Sequence, residues 1–434
     1  MKRLLFVLVM PTSLFLAAQN HVLIIKTDDQ SNQTVGAYGN PLMVTPNMDM
    51  LAAEGTRFTA AYNMGCWSPA VCIPSRTMFM YGKQLWEAKN INRTNAPKSM
   101  PEIFKENGYH TFMTGKWHAM GPRPSKIFDQ IGGTPTQGQL KTFYSEHGHM
   151  TDVTAKETVD FIRAYDSDKP FFAYVAFNAP HVPRETAQKY YDLYPRKQIT
   201  LPPSFKDNMP LNLEVAYQYA PNPLRKNTMQ KRVQQNNAMV SHIDMQLGNI
   251  IKALKEKGIY DDTIIVFTSD HGINFGENGV AGKVCLYEPS VTAPLIVKAP
   301  NMKSNKVINS RVYLQDIVPT LYELLDFEWN RNSDFSSLKP LLKGKKQEVQ
   351  SIYLAMFDDQ RGIVSKNDKL IYYPKTGHLE LYNLKKDPWE TTNIAQKKTS
   401  KAVIKKLLSE LKLWQEKTKD ETDLSPVYKK FKII

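Results

Sequence analysis

Cysteine is nearly absent: Cys66, Cys72 and Cys285 are the three in 434 residues. So small and odd a number excludes a disulfide framework and leaves at least one thiol free, modified or paired elsewhere. Long apolar runs are as scarce. The one candidate lies at the N-terminus, where Lys2 and Arg3 precede an apolar stretch from Leu4 to Leu16, interrupted by Pro11 and followed by Ala17 and Ala18. It is too short for a comfortable membrane span and has the build of a secretory leader, expected at residues 1–18. No cysteine follows it to carry a lipid anchor. No later stretch is apolar enough to cross a bilayer, and no repeat, low-complexity tract or nucleic-acid recognition motif interrupts the chain. The expected location is the periplasm or the cell exterior, with no membrane span and no nucleic-acid partner.

Acidic residues are outnumbered, 42 against 56 basic, for a formal charge of +14. Loss of a leader would remove only Lys2 and Arg3, so the excess belongs to the mature chain and favours an anionic partner. Charge alone does not choose between sulfated, phosphorylated or lipid surfaces. The 42% apolar content is enough to bury a sizeable core, and the length suits one large domain plus a smaller one.

Strand and helix signals alternate. Val22 to Lys26 is an apolar burst ending in Thr27, Asp28 and Asp29, the pattern of a buried strand that delivers carboxylates at its C-terminal end. Helices are expected over 47–54, 100–106, 154–164 and 234–257, closed by Gly55, Asn107 with Gly108, and Gly258 where a terminator is visible. Strands are expected over 171–177 and 263–268. This alternation predicts an α/β fold, a large and mostly parallel sheet sandwiched by helices. The stretch 183–231 is rich in Pro, Asn, Tyr and Lys with weak periodicity, as surface excursions lining a cleft would be. Past residue 340, short strand-like runs at 351–356, 369–373 and 379–384 and a lysine-flanked helix at 401–414 predict a small antiparallel sheet covered by a helix. The expected division is a leader at 1–18, a catalytic α/β domain at 19–340 and an α+β subdomain at 341–434.

Open α/β sheets bind ligands beyond the C-terminal ends of their strands. Asp28 and Asp29 at one such end, with Asp270 and His271 at another, bring three carboxylates and an imidazole toward one edge. Taken alone, an Asp-Asp pair is more often a helix cap or a solvated loop end. An oxygen-rich set suits calcium, or less readily magnesium, better than zinc.

Two further motifs carry a resemblance. Cys72, Pro74, Ser75 and Arg76 stand in VCIPSRTMFMYGK, and Gly108, Tyr109, Thr111, Gly115, Lys116 and His118 stand in GYHTFMTGKWH. Together they resemble the two signatures of the formylglycine-dependent sulfatases, of the alkaline phosphatase superfamily. TPNMDMLAAEGTRFTAAY, TIIVFTSDHG and LYNLKKDPWETTNIA extend the likeness over almost the whole mature chain. Tyr81, Lys83 and Asn278 depart from residues common at those positions, a threonine, an arginine and a histidine.

The resemblance implies that a maturation enzyme oxidises Cys72 to formylglycine, whose hydrate offers one hydroxyl to attack sulfur and a second to expel sulfate. It implies that Asp28, Asp29, Asp270, His271 and the modified Cys72 hold the cation. It further implies that Arg76 braces the nucleophile, that Lys116 and Lys283 hold sulfate oxygens, that His118 deprotonates the second hydroxyl, and that His181 protonates the leaving alcohol. A lone His or Lys is ordinarily structural; only registration with the motifs singles these out. The chemistry requires such groups, because a sulfate ester resists ordinary nucleophiles and its charge must be neutralised.

Weaker candidates for substrate contact are Trp67 and Trp86, which could stack on a sugar but are more often core, and Arg93, His147, His149 and Arg361. A sulfated oligo- or polysaccharide is the expected partner. Two alternatives remain: a phosphomonoester or phosphodiester hydrolase of the same superfamily, and a silent glycan-binding protein that keeps Cys72 as a thiol.

Overall fold

The computed structural model describes residues 20–133, 135–208, 223–327, 333–345 and 351–433. The expected leader at 1–18 and residues 209–222 of the Pro- and Asn-rich excursion lie outside them.

The apolar burst after Asn20 forms β1 (His21–Thr27), buried on both faces. Successive side chains point to opposite sides of a strand. Val22 and Ile24 accordingly enter one hydrophobic cluster, and Leu23 and Ile25 the other. Seven more strands complete the sheet: β2 (Thr56–Tyr62), β3 (His110–Gly115), β4 (Gln130–Ile131), β5 (Phe171–Ala176), β6 (Thr263–Ser269), β7 (Thr292–Lys298) and β8 (Lys306–Tyr313). Their spatial order is β8-β2-β7-β6-β1-β5-β3-β4. Pairing is parallel except on the two sides of β7, which runs against β2 and β6.

Helices cover both faces, as a doubly buried sheet requires. On one side lie α1 (Pro46–Glu54), α4 (Met150–Ala164) and α5 (Lys226–Glu256), contributing Leu51, Phe161 and Leu247 to the core. On the other lie α2 (Cys72–Tyr81) and α3 (Met100–Glu106), contributing Phe79 and Phe104. Ser99 and Glu102 close the start of α3 in a capping box.

A second sheet is built from β9 (Ile352–Met356), β10 (Gln360–Ser365), β11 (Asp368–Tyr373) and β12 (His378–Asn383), antiparallel throughout. The helix α6 (Lys401–Thr418) packs on it through Leu407, Leu408 and Leu411. Gly65 and Cys66 add a fifth strand by pairing parallel with β9. Tyr353, Leu370 and Leu408 belong to the same hydrophobic cluster as Val22 and Phe79. The segments before and after residue 340 therefore share one core. All three cysteines are buried and free. Among the described residues, no helix is long and apolar enough to cross a membrane.

Candidate active site

Four neighbouring strands, β3, β5, β1 and β6, run parallel and end at one edge of the large sheet. β1 leads into Asp28 and Asp29, β6 into Asp270 and His271, β3 into Lys116 and His118, and β5 into the segment bearing His181. The helix α2 presents its first residue, Cys72, to the same place. Its N-terminus turns partial positive charge toward any anion held there. Close approach of β3 to β5 explains Gly115: its φ is +82°, and an added Cβ would lie 2.0 Å from the carbonyl oxygen of Ala176. Asp29 and His118 also hold positive φ, +66° and +50°, outside the usual range of L residues.

Around Cys72 the charges are paired. Arg76 Nε donates to Asp270 Oδ2 at 3.0 Å, and its Nη1 to the carbonyl of Lys116 at 3.0 Å. The Lys116 ammonium donates to Asp28, and Lys283 Nζ to Asp29 Oδ1 at 2.7 Å. Cys72 Sγ lies 3.2 Å from both Asp28 Oδ1 and Lys283 Nζ. Burial works to raise the Asp28 carboxyl, but Lys116, His181 and Arg76 overcome it and hold the group well below the usual range. Asp29 is likewise lowered, Lys283 and the histidines outweighing its burial.

Donor chemistry suits a cation. Oxygens of Asp28 and Asp270, Cys72 Sγ and a His271 nitrogen all lie within 4.8 Å of one another. His271 Nδ1 is 2.9 Å from the carbonyl of Gly272, so Nδ1 carries the proton in the neutral ring and Nε2 is left as the free lone pair. That Nε2 is buried without a hydrogen-bond partner, 3.5 Å from Asp29 Oδ1 and 3.6 Å from Asp270 Oδ1. Against the cost of burial, Asp270 raises this ring to about 9, so without an ion Nε2 holds a proton among the carboxylates; a divalent cation can take that proton's place, and the residues fit one.

Two more histidines flank this nest. Burial and the Lys116 and Arg76 charges lower His118 to about 4, which leaves its ring neutral near pH 7. His181 Nδ1 is 2.8 Å from the carbonyl of Val182, and its Nε2 is 3.8 Å from Asp29 Oδ2.

Comparison with known proteins gives the family. The family model described as Sulfatase matches residues 20–327, and one described as N-sulphoglucosamine sulphohydrolase, C-terminal, matches residues 276–417. The chain belongs to the sulfatase family. It is thus a sulfuric ester hydrolase. A sulfatase of Formosa agariphila is 30% identical, covering 89% of this chain and 85% of its own. An N-acetylglucosamine-6-O-sulfatase of Bacteroides thetaiotaomicron is 26% identical, covering 92% and 87%. Among solved structures, a protein in complex with its substrate D-glucosamine-2-N,6-O-disulfate superposes with a TM-score of 0.77 at 23% identity, covering 93% of this chain and 99% of the other. A phosphonate monoester hydrolase of Silicibacter pomeroyi superposes at 0.78 with 18% identity, covering 93% and 96%. The fold thus spans more than one chemistry, and the sulfatase assignment rests on the family match.

A cavity of about 750 Å³ opens on the sulfatase nest, and Asp29, Cys72, Lys116, His118, His181 and Lys283 all line it. Arg184, Arg232, Gln235 and Asn274 line it too, and sequence reasoning had not singled them out. The only available signal was that Arg184 follows His181 by three residues.

None of the six candidate substrate contacts is among the residues lining this cavity. Arg361 is fully buried, gripped by Asp420 through Nε at 2.6 Å and Nη2 at 2.9 Å. Trp86 lies under that guanidinium, 5.0 Å from ring centroid to carbon, and donates its Nε1 to Tyr353. Both are engaged in joining the small sheet to its surroundings, away from that cavity. His149 caps α4 through Nδ1 and reaches the Glu185 carbonyl with Nε2. His149, Asp152 and His242 form a compact group. Thr186 and Asp152 occupy the His242 nitrogens, so both rings are committed to hydrogen bonds that pin the segment carrying Arg184. Trp67 packs partly buried against the core, His147 sits on an exposed hairpin beside Glu146, and Arg93 is in an exposed loop. Of the departures from the family pattern, Tyr81 donates to the Met120 carbonyl and Lys83 meets Glu87 four residues on. Asn278 is buried at positive φ.

Proposed function

We propose that this sulfatase releases sulfate from a sulfated oligo- or polysaccharide, with Cys72 as the nucleophile position after conversion to formylglycine by a maturation enzyme. The observation that carries the reading is the seat of Cys72 Sγ, 3.2 Å from both Lys283 Nζ and Asp28 Oδ1, at the helix N-terminus and against the partnerless Nε2 of His271. Relatives named for sulfated sugars and the net positive charge support the substrate class. The apolar leader supports export to the periplasm or beyond.

Asp28, Asp29, Asp270 and His271, with the modified residue 72, would hold a divalent cation, and their predominance of oxygen donors favours calcium. When bound, the cation supplies positive charge that stabilises the nucleophile and the ester oxygens. The aldehyde hydrate supplies one oxygen for attack on sulfur and a second whose deprotonation releases sulfate.

The chain's own groups do the remaining work. Lys116 and Lys283 hold the sulfate oxygens, and Arg76 fixes Asp270 and the end of β3 so that the acceptors do not drift. His118, neutral near pH 7 because burial and Lys116 lower it, takes the proton from the second hydroxyl. His181 gives a proton to the departing alcohol from Nε2, because its Nδ1 proton is engaged by Val182. Mass spectrometry of active, natively produced protein, joined to a sulfate-release screen over defined sulfated oligosaccharides, tests the whole. An intact thiol at residue 72 in active enzyme overturns the nucleophile assignment. Turnover of aryl phosphate above aryl sulfate overturns the substrate class.

A further inference from the structure

The catalytic nest is close to balanced in charge. Asp28, Asp29 and Asp270 are matched by Lys116, Lys283 and Arg76, each within an ion-pair distance of its partner. Two guanidinium groups on the cavity wall are left over. Arg184 stands three residues past His181, and Arg232 lies near the start of α5. Among the described residues, neither makes an ion pair, and the only carboxylate lining the cavity, Asp29, is taken by Lys283.

Arg184 is held in place without being neutralised. Its guanidinium carbon lies 5.3 Å from the centroid of the Phe275 ring, on the hairpin that leads to Lys283. Gln235, on α5 beside Arg232, donates to the Arg184 carbonyl at 3.3 Å. The Arg184 Nε is buried with no hydrogen-bond partner. Burial opposes its charge, Asp29 supports it and Arg232 opposes it, and burial likewise lowers Arg232. Two like charges on one partly dry wall, one with an unpaired donor, gain most from a ligand with negative charge and paired oxygens.

We propose that Arg184 and Arg232 form a second anion subsite, which binds a carboxylate or further sulfate on the substrate beside the ester that is cleaved. This rests on the sulfatase reading above, in which His181 faces the leaving oxygen. Arg184 shares the His181 segment, so the second anion sits on the sugar side of the scissile bond, on the same ring or the next. The substrate class narrows to polyanionic saccharides, and Arg184 and Arg232 determine specificity within it.

The test compares sulfated mono- and disaccharides that carry one sulfate alone with counterparts that add either an N-sulfate or a uronic carboxylate. Wild-type enzyme, Arg184→Lys, Arg184→Gln and Arg232→Gln are assayed for kcat/KM, with thermal unfolding to verify folding. The wild type is expected to turn over a doubly charged member best, and each Gln variant to lose about 10- to 100-fold more on it than on the singly charged ester, the worth of a charge-assisted hydrogen bond. Arg184→Lys should lie between. Whether the N-sulfate or the carboxylate series shows the effect identifies the anion. A best substrate with one sulfate alone, or equal losses on all members, overturns the subsite. Calorimetric binding of the same saccharides to Cys72→Ala protein separates the two readings. If no ester is hydrolysed while the Gln substitutions still erase a preference for double charge, the sulfatase chemistry has failed and the subsite stands. If binding shows no such preference, the subsite has failed whatever the turnover.

Discussion

Replacing His181 by alanine removes one ring and one proton from the cavity wall, and the structure says which reactions should suffer. Nδ1 lies 2.8 Å from the Val182 carbonyl, which can only accept, so the neutral ring carries its proton on Nδ1. The proton given to a leaving oxygen must then come from Nε2, which lies 3.8 Å from Asp29 Oδ2. A positioned general acid is worth about 10²–10⁴-fold, or roughly 3–5 kcal/mol of barrier. That help matters only when the leaving oxygen is too basic to depart as an anion. His181→Ala should therefore cut kcat/KM on a sugar sulfate by about 100- to 10,000-fold, and on 4-nitrophenyl sulfate by less than about 10-fold. Sulfate release measured on both esters, with circular dichroism to verify folding, decides it. Equal losses on the two would show that the ring positions the substrate or the cation and transfers no proton.

Cys72→Ala should abolish turnover with the unfolding transition intact, since the side chain contributes little packing beyond its two polar neighbours; hydrolysis at the wild-type rate would refute the nucleophile. Asp28→Asn should lower the metal content of purified protein, measured by elemental analysis, because a buried carboxylate that faces Cys72 and Lys116 becomes a neutral amide; an unchanged content would remove Asp28 from the ligand set. Arg361→Ala should cost about 3–5 kcal/mol in denaturant unfolding, the usual penalty for orphaning one partner of a buried ion pair, while leaving KM for sugar sulfates unchanged; a raised KM with unaltered stability would restore it as a substrate contact. The Arg361 pair also sets a pH dependence. Burial works to raise Asp420, yet hydrogen bonds from Arg361 hold it below its ordinary value. Its contribution is thus fully present above about pH 4, the unfolded value, and fades as pH falls through the lower folded value. The acid limb of the stability curve should flatten in the alanine variant.

The catalytic edge was legible because its residues are tied to features that survive in one dimension. Asp28 and Asp29 follow an apolar burst and Asp270 and His271 follow another, so buried parallel strands had to bring both pairs to one edge. Gly115 marks a place where a side chain cannot fit, which fixes Lys116 just beyond it. The internal strands β5 and β6 were equally plain, since both faces are apolar. β2 and β8 were not. β8 is the edge strand and β2 its neighbour, and both mix buried with partly exposed side chains, without an apolar run. Helix α5 begins at Lys226, eight residues before the expected start, because Met229 and Val233 are the only apolar residues of its first two turns, among Lys, Asn, Thr, Gln and Arg. Arg232 falls in that polar stretch, where a cation resembles an ordinary solvated residue.

Trp86 and Arg361 show why nearness in sequence misleads. Trp86 follows Cys72 by fourteen positions, but the nine further residues of helix α2 intervene, and at 1.5 Å per residue they carry the chain about 13–14 Å from Cys72. What waits at that end is the small sheet, where Tyr353, Arg361 and Asp420 absorb the ring's polar edge and face. The total charge misleads in a similar way. An excess of +14 pointed to an anionic partner, yet around Cys72 the three cations Arg76, Lys116 and Lys283 cancel the three carboxylates one for one. Among the described residues lining the cavity, the guanidinium groups without a carboxylate partner lie a step away, on Arg184 and Arg232, the subsite proposed above. Attraction for a polyanion and cleavage of one of its esters are thus assigned to different side chains, and each can be altered by substitution while the other is measured.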